Sequence, residues 1–193
     1  MSAVTLFESK LKTSFSVCAF IITAVFGAFF CKYTFKNPDL TLCFADGNDL
    51  AYFSGGPLMT DVTYRFRVWF EWGFIYNCVA FLQICMSVVE SAAEDRKIKE
   101  AIGKVIYVSR GILCIASLCH TITGAIFRWS HSGKVCSGDY VPEEIFETLG
   151  HFPPYQFSSG RFMKVYLILL LVIWGLSFCC LCAFACCMIA TRT

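Results

Sequence analysis

Charge is scarce in this chain: Lys, Arg, Asp and Glu make up only 16% of its 193 residues, against about a quarter in a typical soluble domain. Proline is rare as well, with 5 residues, and the formal net charge is only +2. Low charge excludes a disordered chain, and the lack of a basic excess argues against a nucleic-acid partner. No glycosylation acceptor site occurs, because Asn37, Asn48 and Asn77 all lack a hydroxyl residue two positions later.

What the chain has in abundance is apolar side chains, 57% of the total, including 20 Phe. Four stretches, at about 15–35, 68–89, 104–127 and 163–190, are long enough to span a membrane, since about 20 apolar residues cover its hydrocarbon core. The first and last stretches are apolar all round, whereas the helices of a soluble bundle need a polar face. We therefore expect an all-α polytopic membrane protein with a single domain, 1–193.

This fold would be an antiparallel four-helix transmembrane bundle, with two outer loops at about 36–67 and 128–162 forming a small cap. The first apolar run is too long for a cleavable signal peptide and ends in bulky aromatic residues. We expect it to be retained as a signal anchor. A further helix is expected in the second loop, at about 142–149, because Pro142 and several Glu suit a helix N-terminus.

The distribution of positive charge predicts that both termini lie on the cytoplasmic (or matrix) side. Seven Lys and Arg lie in the short tails and connector, namely Lys10, Lys12, Arg96, Lys97, Lys99, Lys104 and Arg192. The two longer loops carry six, namely Lys36, Arg65, Arg67, Arg128, Lys134 and Arg161. The higher density on the first side decides the orientation. Trp69, Trp72, Tyr76 and Trp129 would be depth anchors at the outer interface. A plasma or vesicle membrane is favoured, with an organelle membrane as the alternative.

Two of the 13 Cys residues lie well inside the outer loops, one in each: Cys43 and Cys136. In an oxidising compartment they could form a disulfide that ties the loops together. Cys31, at the outer end of the first span, is the competing partner. In a reducing compartment both would remain thiols.

The last span is rich in cysteine. Gly175, Cys179, Ala183 and Cys187 form a stripe of small residues at i+4 spacing, which favours close helix packing. The alternative is S-palmitoylation of Cys186 and Cys187 near the cytoplasmic face. A zinc site is disfavoured, because an apolar helix supplies neither water access nor a fourth ligand. No cofactor or metal is expected.

Polar residues inside spans are functional candidates, because they are costly in lipid. They are Glu71, Asn77, Glu90, Arg110 and His120. Arg110 would snorkel to the interface or pair with Glu90, and Glu71 would pair with Arg128 or Lys164.

Asn77 and Gln83 are expected to hydrogen-bond across helices. His120 lies on a face of small and polar residues, which indicates a seam between helices, with a proton relay as the alternative. Neither outer loop contains a nucleophile with a base and an orienting group, so we do not expect an enzyme.

The layout resembles the MARVEL-type four-span proteins of vesicle and junction membranes. The shared features are short cytoplasmic termini, a brief charged connector (Ser91–Lys104), two mid-sized outer loops and a Cys-rich last span. Cysteine patterns of claudins, tetraspanins and connexins are absent. The resemblance covers the whole chain by topology and assigns no site residues.

The expected function is therefore structural: a non-enzymatic four-span protein that self-associates or is a subunit of a larger membrane assembly. Its partners would be the lipid bilayer and copies of itself or other membrane subunits. One alternative is a channel or transporter subunit in which Glu71, Arg110 and His120 line a wet path. Another is an accessory subunit of an energy-converting organelle complex.

Overall fold

The computed structural model describes residues 3–36, 42–46, 51–52, 56, 58–140 and 156–190. Within these ranges the chain forms α1 (Ala3–Phe35), β1 (Phe44–Ala45), β2 (Ala51–Tyr52), β3 (Thr60–Asp61), α2 (Val62–Ala92), α3 (Arg96–Trp129), α4 (His131–Cys136) and α5 (Phe157–Ala190). The helix expected at about 142–149 lies outside the described residues, as does Arg192.

Four of the helices are long and apolar enough to cross a membrane, which confirms the four apolar segments identified in the sequence. The qualifying segments are Val17–Phe35, Val62–Ala92, Arg96–Trp129 and Phe157–Cys180. Helix formation is uninterrupted because no proline falls inside a described helix: the five lie at positions 38, 57, 142, 153 and 154. The protein is thus mostly helical, with four candidate spans.

The chain divides into two compact units. The first, Met1–Pro38 with Tyr64–Ile122, is called here the helical unit. The second, Asp39–Thr63 with Thr123–Thr193, is called the disulfide unit.

In the helical unit, aromatic side chains fill the space between α1 and α2. Phe30 is fully buried and its ring centroid lies 5.3 Å from that of Trp69 and 6.0 Å from that of Phe70. Tyr33 stacks on Phe70 at 4.8 Å. Helix α2 also bonds to α3, since Gln83 Nε2 donates to the carbonyl oxygen of Ile106 at 3.3 Å. Gln83 thus makes the bond between helices that the sequence predicts.

In the disulfide unit, three two-residue strands form an antiparallel sheet in the order β2-β1-β3. Phe44 pairs with Tyr52 on one side and with Asp61 on the other. The sheet leads directly into α2. The amide of Val62, the first residue of α2, donates to the Cys43 carbonyl at 3.1 Å. Helix α4 is capped by Ser130, whose Oγ accepts from the Gly133 amide at 3.2 Å.

Candidate functional site

A disulfide joins Cys43, directly before β1, to Cys136, the last residue of α4. The bond confirms the predicted pair, and Cys31, the competing partner, is a free thiol. Both bonded cysteines are completely buried, and 93 positions separate them in the sequence. The Cys43 amide is further fixed by donation to Thr63 Oγ1 at 2.7 Å. The bond therefore lies inside a packed structure.

The Arg128 side chain is buried in the disulfide unit and held by three hydrogen bonds. It is 2% exposed, and its two terminal nitrogens donate to both carboxylate oxygens of Asp139 at 2.9 and 2.7 Å. Its Nε donates to the Gly160 carbonyl at 2.8 Å. This two-pronged geometry is the strong form of an Arg–carboxylate pair.

The predicted pairing of Glu71 with Arg128 or Lys164 is therefore wrong, because Arg128 binds Asp139 and Glu71 has a different partner. Glu71 pairs instead with Arg67, one turn earlier in α2, at 2.9 Å. The physical reason is local: a partner at i−4 on the same helix is always within reach, while the turn after α4 brings Asp139 to the guanidinium.

That turn lies directly against the start of α5. Gly138 has φ of +76°, and a Cβ atom there would overlap the Phe157 ring. A Cβ atom on Gly160 would overlap the Ser137 side chain. The Gln156 amide also donates to the Cys136 carbonyl at 2.6 Å. Since only glycine permits these two approaches, the turn and the first residues of α5 form one closely packed body.

In the helical unit, His120 is enclosed by aromatic rings. Its ring stacks on Trp69 at 4.4 Å and is nearly parallel to Tyr76 at 6.4 Å, with Phe30 at 5.8 Å. Trp69 Nε1 donates to the His120 carbonyl oxygen at 3.0 Å. We call Phe30, Trp69, Tyr76 and His120 the aromatic cluster. This arrangement is the one expected of a seam between helices.

Trp69 is consequently not a depth anchor, and that prediction is wrong. Its side chain is only 1% exposed, whereas Trp72 is 63% exposed. The two residues are three positions apart, which rotates them by about 60° around the helix, and this angle separates a buried side chain from an outward one.

Asn77 differs from the prediction as well. Its Nδ2 donates to the Gly73 carbonyl of its own helix at 2.8 Å, rather than to a neighbouring helix as predicted. A Cβ atom on Gly27 of α1 would lie 3.8 Å from Asn77 Cβ, in ordinary van der Waals contact. Asn77 thus packs against α1 while its polar group is satisfied within α2.

The predicted ion pair between Arg110 and Glu90 is also absent from the described residues. Glu90 faces Gly103, since a Cβ atom there would lie 2.9 Å from Glu90 Oε1. Arg110 follows Gly103 by seven residues, about 10 Å along the helix axis, and its side chain is exposed. Glu90, in α2, therefore faces a part of α3 about two turns before Arg110.

The cysteines of α5 can be described in part. Cys179, Cys180, Cys182 and Cys186 are free and exposed, while the side chain of Cys187 lies outside the described positions. Gly175 has no atom within 4 Å of a Cβ position. Palmitoylation of Cys186 and Cys187 stays a prediction. Among the residues that the structure describes, no group of three His, Cys, Asp or Glu could hold a metal ion.

Several key residues were not identified in the sequence. Asp139, Gly73, Gly138 and Gly160 carry no motif, and their roles depend on contacts between distant segments. One signal was available for the turn: Ser137-Gly138-Asp139 is rich in turn-forming residues, immediately after a predicted disulfide cysteine.

Comparison of the chain with protein-family models, with curated proteins and with solved structures gave no match.

Proposed function

We propose that this protein is a non-enzymatic four-span membrane protein, similar in layout to the MARVEL-type proteins, that assembles laterally with copies of itself or with other membrane subunits. The observation that carries the proposal is the disulfide unit. Its cross-link, its buried Arg128–Asp139 pair and its glycine contacts hold the short strands, α4 and the start of α5 in one rigid structure. A rigid surface suits protein contact, because little conformational entropy is lost on binding.

The disulfide also supports an antiparallel passage of α2 and α3. Cys43 precedes α2 and Cys136 follows α3. A bond between them is therefore what is expected if the start of α2 and the end of α3 lie on the same side of the membrane. The contact of Trp69 with His120 and that of Gln83 with Ile106 have the pairing order of antiparallel helices. Disulfides persist in oxidising compartments, which supports a lumenal or extracellular position for the Cys43–Cys136 bond, opposite the cytoplasmic termini.

The long helices leave broad apolar surfaces for lipid and for partner helices. On α5, Leu171, Val172, Ile173 and Leu176 are all about half exposed or more. Gly175 lies among them with open space above its backbone. Small residues permit close approach of a second helix, so this surface suits lateral association.

The alternative of a channel or transporter subunit receives less support. A shared wet path would have to contain Glu71, Arg110 and His120. Glu71 instead forms an exposed pair with Arg67, Arg110 is exposed on α3, and His120 is buried among aromatic rings. These three side chains have three different environments within the helical unit.

Native mass spectrometry of the protein released from membranes in a mild detergent, combined with cross-linking before solubilisation, tests the proposal. We expect a defined oligomer or a stable complex with another membrane protein. The double variant Cys43→Ser/Cys136→Ser should form less of this complex, whereas Cys31→Ser, a free exposed thiol, should leave it unchanged. A strictly monomeric protein both before and after solubilisation would contradict the proposal, and ion flux abolished by His120→Ala would favour the channel alternative.

A further inference from the structure

A shallow, open cleft of about 590 Å³ lies in the helical unit, where α2 ends and α3 begins, and its surface is mostly apolar although charged side chains line it. The lining residues come from the end of α2 and the first turns of α3: Glu90, Arg96, Lys99, Glu100, Gly103, Lys104, Tyr107 and Val108. None of them has a role in the assembly proposed above.

Both signs of charge face this cleft, with an excess of one positive charge. Lys104 and Glu100 neutralise each other through an ion pair of 2.9 Å. Arg96 and Lys99 form no ion pair within the described part of the chain, and both are exposed. Glu90 contributes one carboxylate beside Gly103, whose lack of a side chain leaves room for it. The cleft therefore offers two cationic groups and one anionic group to a ligand.

The cleft lies at the level of the membrane surface if α2 and α3 cross the bilayer, so the inference rests on the proposed function. Helix α3 has 34 residues, about 51 Å in length, against a hydrocarbon core of about 30 Å. The excess length falls at the charged end that carries the cleft. Tyr107 and Val108, 81% and 60% exposed, lie near the start of the apolar stretch of α3 that begins at about 104. Exposed tyrosine is typical of the headgroup region.

We propose that this cleft binds the head group of an anionic aminophospholipid, of which phosphatidylserine is the type. Its phosphate and carboxylate would contact Arg96 and Lys99, and its ammonium group would donate to the Glu90 carboxylate. The net charge of the head group, minus one, matches the positive excess of the cleft. Tyr107 and Val108 would contact the glycerol and the first acyl carbons. With the termini in the cytoplasm, the connector faces the leaflet that is rich in phosphatidylserine.

The mixed charge of the cleft gives the proposal its specificity. Phosphatidylglycerol is anionic but has no ammonium group for Glu90. Phosphatidylcholine has a quaternary ammonium that cannot donate a hydrogen bond. Phosphatidylserine alone of these three satisfies both the cations and the carboxylate.

The experiment uses the full-length protein in nanodiscs and in detergent, with bound lipid counted by native mass spectrometry during titration with each of the three lipids. We expect phosphatidylserine to bind at least about tenfold more tightly than phosphatidylcholine, the size of effect worth about 1.4 kcal/mol. Arg96→Gln/Lys99→Gln should remove this preference. Lys97→Gln is the matched control, because Lys97 lies on the same turn but does not line the cleft.

Glu90→Gln provides the second arm. This substitution should lower the affinity for phosphatidylserine severalfold and leave the affinity for phosphatidylglycerol unchanged or higher. An equal loss of affinity for both lipids would contradict the proposed role of the carboxylate.

Soluble phosphoserine distinguishes a lipid site from a site for the free head group. If phosphoserine binds as tightly as the lipid does, the proposal is overturned. Equal binding of the three lipids, or equal loss in Lys97→Gln, would overturn it as well. If the protein inserts into nanodiscs but shows no lipid preference, only the lipid-binding proposal is contradicted. If it does not insert, the proposed function is contradicted.

Discussion

At the scale of single residues, the buried Arg128 makes the sharpest prediction. Arg128→Lys keeps the charge but cannot form the two parallel bonds to Asp139 or the bond to the Gly160 carbonyl. We expect a loss of about 3 to 6 kcal/mol in the free energy of unfolding, since two of the three bonds would be lost and bonds to charged groups are worth about 1.5 to 3 kcal/mol each. Thermal unfolding in detergent, followed by tryptophan fluorescence, measures the effect.

An exposed Arg–carboxylate pair within one helix, Arg67 with Glu71, is the control for Arg128. Both side chains are well exposed, 69% and 41%. Arg67→Lys should change stability by less than about 0.5 kcal/mol, because exposed pairs contribute little. Equal effects of the two substitutions would show that burial of Arg128 does not contribute to stability.

Trp69 allows the hydrogen bond and the packing of the aromatic cluster to be separated. Trp69→Phe retains a ring against Phe30 and His120 but loses the indole donor to the His120 carbonyl. We expect a loss of about 1 kcal/mol, as for other hydrogen bonds between membrane helices. Trp69→Ala should cost about 3 to 5 kcal/mol, because it also leaves a cavity. Trp72→Phe, on the exposed side of the same helix, should be nearly neutral in the same unfolding assay.

The residues that were predicted correctly and those that were missed differ in the range of the interaction. Cys43 and Cys136 could be paired from sequence, because they are the two cysteines well inside the outer loops. The partner of Arg128 could not, because it depends on a left-handed Gly138 that returns the chain toward α3. Trp69 and Trp72 look alike in sequence, and only the packing of Trp69 against Phe30 and His120 distinguishes them.

At the scale of elements, close approach of α1 to α2 depends on Gly73. A Cβ atom at this position would overlap the Phe30 ring. Phe30 cannot move aside easily, since it is fully buried against Trp69, Phe70 and His120. Gly73→Ala should therefore cost about 1 to 3 kcal/mol, the usual range for overpacking, and the same thermal unfolding experiment measures it.

Gly111, in α3, supplies a control at which alanine should not lower stability. No atom lies within 4 Å of its Cβ position, and alanine favours the helix over glycine by up to about 1 kcal/mol. Gly111→Ala should leave stability unchanged or raise it slightly. If both alanine variants were destabilised equally, the contact between Phe30 and Gly73 would not be what holds α1 against α2.

The apolar stretches predicted the existence of the long helices but not their ends. Helix α2 begins at Val62 rather than near 68, and α3 begins at Arg96 rather than near 104. Hydropathy responds to the part of a helix that suits lipid, whereas the backbone continues as a helix until a turn or strand stops it. In α2 the start is set by β3, which ends at Asp61, and in α3 by Asp95, whose carboxylate accepts from the Lys97 amide at 2.7 Å.

At the scale of the whole molecule, the disulfide and the four apolar helices together restrict the membrane topology. Cys43 and Cys136 must share one side, so α2 and α3 cross as a pair or not at all. In the proposed topology α1 and α5 each cross once, which would place both termini opposite the disulfide. Any odd number of crossings between the two cysteines is incompatible with the bond.

This topology predicts the sidedness of four positions in sealed vesicles. Small epitope tags at the N-terminus, at the C-terminus and in the connector after Ala93 should be cleaved by protease from the same side, and a tag after Gly56 only from the other. The connector tag discriminates best, because the disulfide alone would also permit α2 and α3 to lie on the surface. In that case a connector tag and a loop tag would be cleaved together, and the membrane-spanning role of α2 and α3 would be contradicted. Reducing agent added before protease should leave the pattern unchanged, since apolar length rather than the disulfide holds each helix in the bilayer.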